Sequence, residues 1–165
     1  MSLASAPRYG PDVPRERTLR LAAGIVALLG IGVAAYITIA DAAGGAPACL
    51  AGGHGCTTVT QSRYSQLAGI NVSVLGIAGY AALLASAAAP GDAGRVGGLL
   101  LALVGFGFSA YLTYLELFVV DAICQWCVAS ACLMTVLLVV NGLRMFGYTG
   151  RNDLAAESEP RRRTV

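Results

Sequence analysis

Four stretches of this chain are long and apolar enough to cross a lipid bilayer, and this constrains the fold more than any other feature. Crossing the hydrocarbon core takes roughly 20 apolar residues in a helix, which satisfies its backbone polar groups internally. The stretches run over about 21–40, 72–89, 97–120 and 127–146. Pro90-Gly91 closes the second, because proline cannot continue the hydrogen-bond ladder and glycine breaks it. Only 12% of the residues are charged and 56% are hydrophobic. Soluble domains average about 25% charged, so this chain could not cover a soluble surface. The net charge of +2 leaves no nucleic-acid footprint. The expected fold is all-α and integral to the membrane, a bundle of four transmembrane helices.

Arginine sets the orientation, since basic residues concentrate on the cytoplasmic side. All eleven basic residues are Arg. Arg8, Arg15, Arg17 and Arg20 precede the first span, and Arg95 lies between the second and third. Arg144, Arg151, Arg161, Arg162 and Arg163 end or follow the fourth, and only Arg63 falls on the opposite side. Both termini are therefore expected inside, with the loop 41–71 and the turn 121–126 outside. Residues 1–16 and 147–165 read as cytoplasmic tails, disordered at their Pro-, Gly- and charge-rich ends. A cleaved signal peptide is the rival reading of the first span, but its 20 apolar residues exceed the usual core of about 7–15.

Five cysteines sit on this frame: Cys49, Cys56, Cys124, Cys127 and Cys132. The first two share the outside loop. Cys124-Gln125-Trp126-Cys127 is a C-x-x-C at the outside mouth of the fourth helix. Four thiols thus face an oxidising compartment, where disulfides persist. A helix N-terminus stabilises the thiolate, which is the nucleophile of thiol–disulfide exchange. Cys127, one turn deeper, is placed to meet a lipid-soluble molecule, and Cys124, nearer water, to exchange with another disulfide. Gly44, Gly45, Gly52, Gly53 and Gly55 give the loop pair mobility. Electrons would enter at Cys49–Cys56, cross to Cys124–Cys127 and leave to an acceptor. Plainer readings remain open: a structural Cys49–Cys56 disulfide, or a zinc site built from the outside cysteines and His54. Cys132 reads as a small buried apolar residue.

Other residues carry weaker signals. Glu116 is the only acid within a span, so it is either a proton carrier or a boundary acid that reaches the interface. Trp126 either walls a ligand or anchors at the interface. Tyr80, Tyr111 and Tyr114 are candidate donors to a carbonyl, although packing is the commoner role of a buried Tyr. His54 reads as a solvated loop residue.

The residues now in view resemble the vitamin K epoxide reductase family in its bacterial form, over about 17–146. The resemblance is carried by Cys49 and Cys56, by Ser62 six residues later, and by Gly69-Ile70-Asn71-Val72-Ser73-Val74-Leu75-Gly76 entering the second helix. Tyr111 to Cys127, ending in the C-x-x-C, completes it. The resemblance implies four helices around a quinone pocket, capped on the outside by the redox loop and a half-helix. It implies that Cys127 faces the quinone, that Cys124 forms the mixed disulfide with a loop cysteine, and that Ser62 lies in the cap and helps position the redox loop. Many members carry an Asn in the second helix that bonds the quinone carbonyl. That position falls on Val72 here, with Asn71 one residue before it. A Tyr that animal members use four residues after the C-x-x-C is Ala131.

The expected function is therefore a thiol:quinone oxidoreductase of a bacterial cytoplasmic membrane, with its active site facing outward. It reoxidises a separate thioredoxin-like or DsbA-like protein and reduces menaquinone or ubiquinone, supporting disulfide formation. Cys49, Cys56, Cys124 and Cys127 are the catalytic candidates; Cys127, Ser62, Asn71, Tyr114 and Trp126 are the quinone-site candidates. The disulfide-bond-forming protein B type is a related relay, but its C-x-x-C lies in the first outside loop. The alternative of another class is a metal-binding membrane protein or transporter that uses the outside cysteines as soft ligands.

Overall fold

The computed structural model describes residues 13–49, 54–67 and 69–162, with side chains between Glu16 and Gly147. Five helices form the frame: α1 (Val13–Ala42), α2 (Gly55–Thr60), α3 (Val72–Ala88), α4 (Asp92–Leu115) and α5 (Gln125–Arg162). A π-turn over Glu116–Val120 extends α4, and a 3-10 turn (Arg63–Ser65) follows α2. The strands β1 (Gln66–Leu67) and β2 (Ile70–Asn71) pair antiparallel, Gln66 opposite Asn71 and Leu67 opposite Ile70.

Each boundary has a local cause. Asn71 caps α3: its Oδ1 accepts the Ser73 N–H at 3.0 Å and the Ser73 hydroxyl at 2.8 Å. Ala89 is extended ahead of Pro90, as a pre-proline residue prefers. Gly91 then turns the chain at φ +81° into α4, whose first turn carries Asp92.

Among the described residues, three helical segments are long and apolar enough to cross a membrane: Glu16–Ala42, Asp92–Val120 and Gln125–Gly147. The protein is an all-α membrane protein. α3 is apolar but has only 17 residues, about 26 Å at the helical rise, against 27, 29 and 23 in the other three.

Helix extends beyond the expected spans at several ends. α1 begins at Val13, so residues 13–16 of the supposed disordered tail are helical; residues 1–12 lie outside the described residues. α4 begins five residues before the expected Gly97. The backbone of α5 continues through the expected tail to Arg162, and residues 163–165 lie outside the described residues. The cause is cooperativity. Once nucleated, a helix propagates into polar sequence that would not form one alone, and 153–157 is mostly strong helix formers.

The four long helices form a closed ring, α1 on α3, α3 on α4, α4 on α5 and α5 on α1. Ala23, Ala27, Tyr80, Leu83, Ala102, Met134 and Leu137 fill its centre. Small residues let the helices approach closely. Gly30 is the tightest case, because a β-carbon there would fall on the Tyr80 ring. Gly30→Ala is expected to destabilise the bundle by about 1–3 kcal/mol, as overpacking does, and to lower the unfolding midpoint in a thermal melt in detergent. The outer surface is apolar, with Val104, Phe118 and Phe146 turned outward, as lipid contact requires.

Candidate active site

The segment leading to Cys49 is held from two sides. Tyr36 packs against Trp126 with ring centroids 4.8 Å apart. Trp126 Nε1 donates to the Ala48 carbonyl at 2.9 Å, and the Ala48 N–H donates to the Tyr36 hydroxyl at 3.1 Å. Cys49 and Cys56 form a disulfide. The Cys56 N–H donates to Cys49 Sγ at 3.1 Å, and Cys56 is fully buried at the start of α2. Its neighbour Gly55 lies so close to the Ile123 carbonyl that a β-carbon would collide with it. Cys56 and Cys124 are thus each one residue from the point where the loop helix meets the 121–124 connector.

That connector is shaped by the end of α4. The π-turn widens the last turn, and Asp121 stops it in the left-handed region at φ 51°. Glu116 is thereby turned inward, 5% exposed, and its Oε2 accepts the Cys124 N–H at 3.1 Å. The Cys124 carbonyl accepts the first bond of α5, from the Val128 N–H at 3.0 Å. Cys124 was expected to be the wetter of the two C-x-x-C sulfurs. It is fully buried beneath the loop helix instead, while Cys127 is only half-buried. α2 packs on the π-turn just ahead of this connector, and Gly55 on Ile123 beside Cys124.

The Cys127 thiol donates a hydrogen bond that favours the Cys124 thiolate, and the N–H groups of Cys127 and Trp126 add to it. Burial and the Glu116 carboxylate oppose, and the balance brings Cys124 down to about 7. The ultraviolet thiolate absorbance of Cys124 should therefore rise with pH through a midpoint near 7. Below it the thiol dominates, and above it the thiolate. In Cys127→Ala the midpoint should move up towards that of an ordinary thiol, about 8.5, in the same absorbance titration.

A cavity of about 190 Å³ opens within the ring below this pair. Its walls are mainly apolar, among them Val33, Ile37, Leu75, Phe108 and Leu112. Cys127 and Glu116 line it, as do Tyr80 and Ser130. The Tyr80 hydroxyl donates to the Ser130 carbonyl at 2.9 Å and lies 2.8 Å from Ser130 Oγ. An apolar slot whose wall includes the Cys127 thiol, several hydroxyls and the Glu116 carboxyl suits a flat lipid-soluble ring with carbonyl acceptors.

The structure gathers some of the sequence candidates here and separates others. Ser62 and Asn71 border the cavity. Ser62 donates to the Val59 carbonyl at 2.8 Å and so braces the turn after α2. Asn71 is committed to capping α3 and to Asp41 Oδ2, 2.7 Å from its Nδ2. Neither Tyr114 nor Trp126 is among the residues of the cavity wall. Tyr114 is on the outer face of α4, 56% exposed and packed on Phe118. Trp126 faces the loop that it clamps. Tyr111 is likewise turned outward. Cys132, expected to be buried, is exposed on the outer face of α5, where lipid serves a small apolar group as well as a core does.

Glu116 belongs to the site more closely than a boundary acid would, and its being the sole acid in a span was the available signal. Ser130 was missed altogether. Its position three residues after Cys127, on the same helical face, was the clue. His54 is exposed. Among the described residues no three His, Cys, Asp or Glu side chains come together as metal ligands.

Comparison with known proteins agrees with this arrangement. The chain matches the model of the vitamin K epoxide reductase family over residues 21–141. That range takes in all four cysteines of the two pairs. No curated protein matches significantly. Members of the family are membrane oxidoreductases that work on thiols and quinones. With the loop disulfide, the C-x-x-C and the cavity in one apolar bundle, this chain belongs to the vitamin K epoxide reductase family.

Proposed function

We propose that the chain reoxidises an extracytoplasmic thioredoxin-like or DsbA-like dithiol protein and passes the electrons to menaquinone or ubiquinone. Residues 17–146 form the redox domain, with α3 as the second of its four spans and the cysteine end outside a bacterial cytoplasmic membrane. The asymmetry of arginine supports that orientation. The observation that carries the reading is the approach of Gly55 to Ile123, which brings the loop pair onto the C-x-x-C while Cys127 lines the cavity.

The relay is a chain of exchanges. The partner's thiolate attacks the Cys49–Cys56 disulfide, and resolution leaves the partner oxidised and the loop reduced. Cys56 then attacks Cys124 of an oxidised C-x-x-C, with Cys127 leaving as thiolate. Cys49 resolves the mixed disulfide, which restores the loop disulfide and leaves Cys124 and Cys127 reduced. A bound quinone supplies the sink for the resulting two electrons and two protons. Apolar walls hold its ring against Cys127 and exclude water. Ser130, held beside the Tyr80 hydroxyl, offers its own hydroxyl to a quinone oxygen. Glu116, beside the pair and in the same cavity, holds a proton on its carboxylate during the transfer.

Trapping tests the order. Cys49→Ala combined with Cys127→Ala should leave Cys56 and Cys124 joined, seen as a linked peptide pair in mass spectrometry without reductant. A Cys49–Cys124 link in the Cys56→Ala, Cys127→Ala variant, with none in the first, would reverse the loop order. No link in either variant would sink the relay.

A further inference from the structure

At the end of the bundle away from the cysteines, a groove of about 650 Å³ runs between α1 and α3. Arg17 and Arg20 stand at its mouth, and Leu21, Ile25, Leu28 and Leu84 line its length. Arg17, Leu21, Ile25 and Leu28 lie at helical spacing on one face of α1, and all four are exposed. From Arg17 to Leu28 the helix rises about 16 Å, close to half of a hydrocarbon core of about 30 Å. The groove is therefore one leaflet deep.

Its mouth is electropositive and in part rigid. Arg20 Nε donates to the Ala87 carbonyl at 2.8 Å and Nη2 to the Ala88 carbonyl at 2.6 Å, which caps α3 and fixes the guanidinium. Glu16 also borders the groove, but its Oε1 faces Arg95 Nε at 3.5 Å and Arg144 Nη2 at 3.6 Å. Arg95 also pairs with Asp92 at 3.0 Å. At this end the described guanidinium groups of Arg17, Arg20, Arg95 and Arg144 outnumber the carboxylates of Glu16 and Asp92.

We propose that this groove binds one anionic phospholipid, with its phosphate against Arg17 and Arg20 and one acyl chain along Leu21, Ile25 and Leu28. Charge complementarity and leaflet depth together select the occupant. A zwitterionic lipid would fill the apolar length equally well but would gain no net attraction at the mouth. A second copy packed symmetrically on this face would bring the two arginine rims together. The proposal is independent of the redox reading.

The test uses the full chain, stripped of lipid in detergent and titrated with phosphatidylglycerol, with phosphatidylcholine of the same chains, and with inorganic phosphate. Native mass spectrometry counts the bound species. Phosphatidylglycerol should be retained over phosphatidylcholine, and Arg17→Gln should cut that preference about fivefold. Arg17→Gln leaves the Arg20 cap of α3 untouched. Ile25→Trp, which fills the groove, should lower retention of both lipids. Equal retention of the two lipids by the wild type overturns the proposal, as does a preference that survives Arg17→Gln. Displacement of the lipid by inorganic phosphate, or a lipid-free dimer in its place, overturns it too.

Discussion

Cys127→Ala is expected to abolish quinone reduction with every electron donor, by about a thousandfold or more, as loss of a reacting nucleophile does. Cys127 is the only cysteine of the two pairs that lines the cavity. Without it the C-x-x-C cannot form the disulfide that receives electrons, and no sulfur meets the acceptor. Cys49→Ala should behave differently. With a protein dithiol as donor it should be inactive, because the loop disulfide is gone. With a small dithiol that reduces Cys124–Cys127 directly, most activity should remain. Stopped-flow absorbance of the quinone, with both donors and both variants, separates the two behaviours. Turnover by Cys127→Ala with the small dithiol would show that electrons leave from another group. Loss of both activities in Cys49→Ala would mean that the loop serves the cavity rather than the donor.

Gly55→Ala should slow transfer between the two cysteine pairs about a hundredfold. The added β-carbon would fall on the Ile123 carbonyl. That oxygen belongs to the backbone and cannot swing aside as a side chain can, so α2 has to retreat. A displacement near 1 Å at a reacting centre costs about two orders of magnitude. Rapid-quench labelling of thiols after reduction of the loop measures the step. Quinone reduction with a small dithiol should fall far less, since Cys127 stands on α5 and only Val59 and Thr60 of α2 border the cavity. Gly45→Ala is the control: its β-carbon would meet only the Ala40 carbonyl, at an ordinary 3.6 Å. If Gly55→Ala transfers electrons at the wild-type rate, the Gly55–Ile123 contact does not set the approach of the pairs.

Much of this site could be read from the chain because its signals are local. The C-x-x-C before an apolar run placed Cys124 and Cys127 at a helix start, and the structure has α5 begin at Gln125. The outward direction of Tyr114 was not legible. Apart from Thr113 and Glu116 its neighbours in sequence are apolar, and a membrane helix lacks the broad polar face that reveals rotation in a soluble one. The same uniformity hid the exposure of Cys132.

The sequence by itself determined that this is a helical membrane protein, where its long apolar segments lie, and that a C-x-x-C stands at the start of the last of them. These follow from segment length, composition and spacing, which the bilayer reads residue by residue. Only the tertiary structure decided that Cys124 is buried, that Glu116 accepts its N–H, and that Tyr80 meets Ser130 across the cavity. Those facts depend on the rotation of each helix, on the π-turn that re-aims Glu116, and on the close approach allowed by Gly55. Contacts between residues far apart in the chain, here Tyr80 and Ser130 at a separation of 50, arise from packing and leave no periodicity to be read.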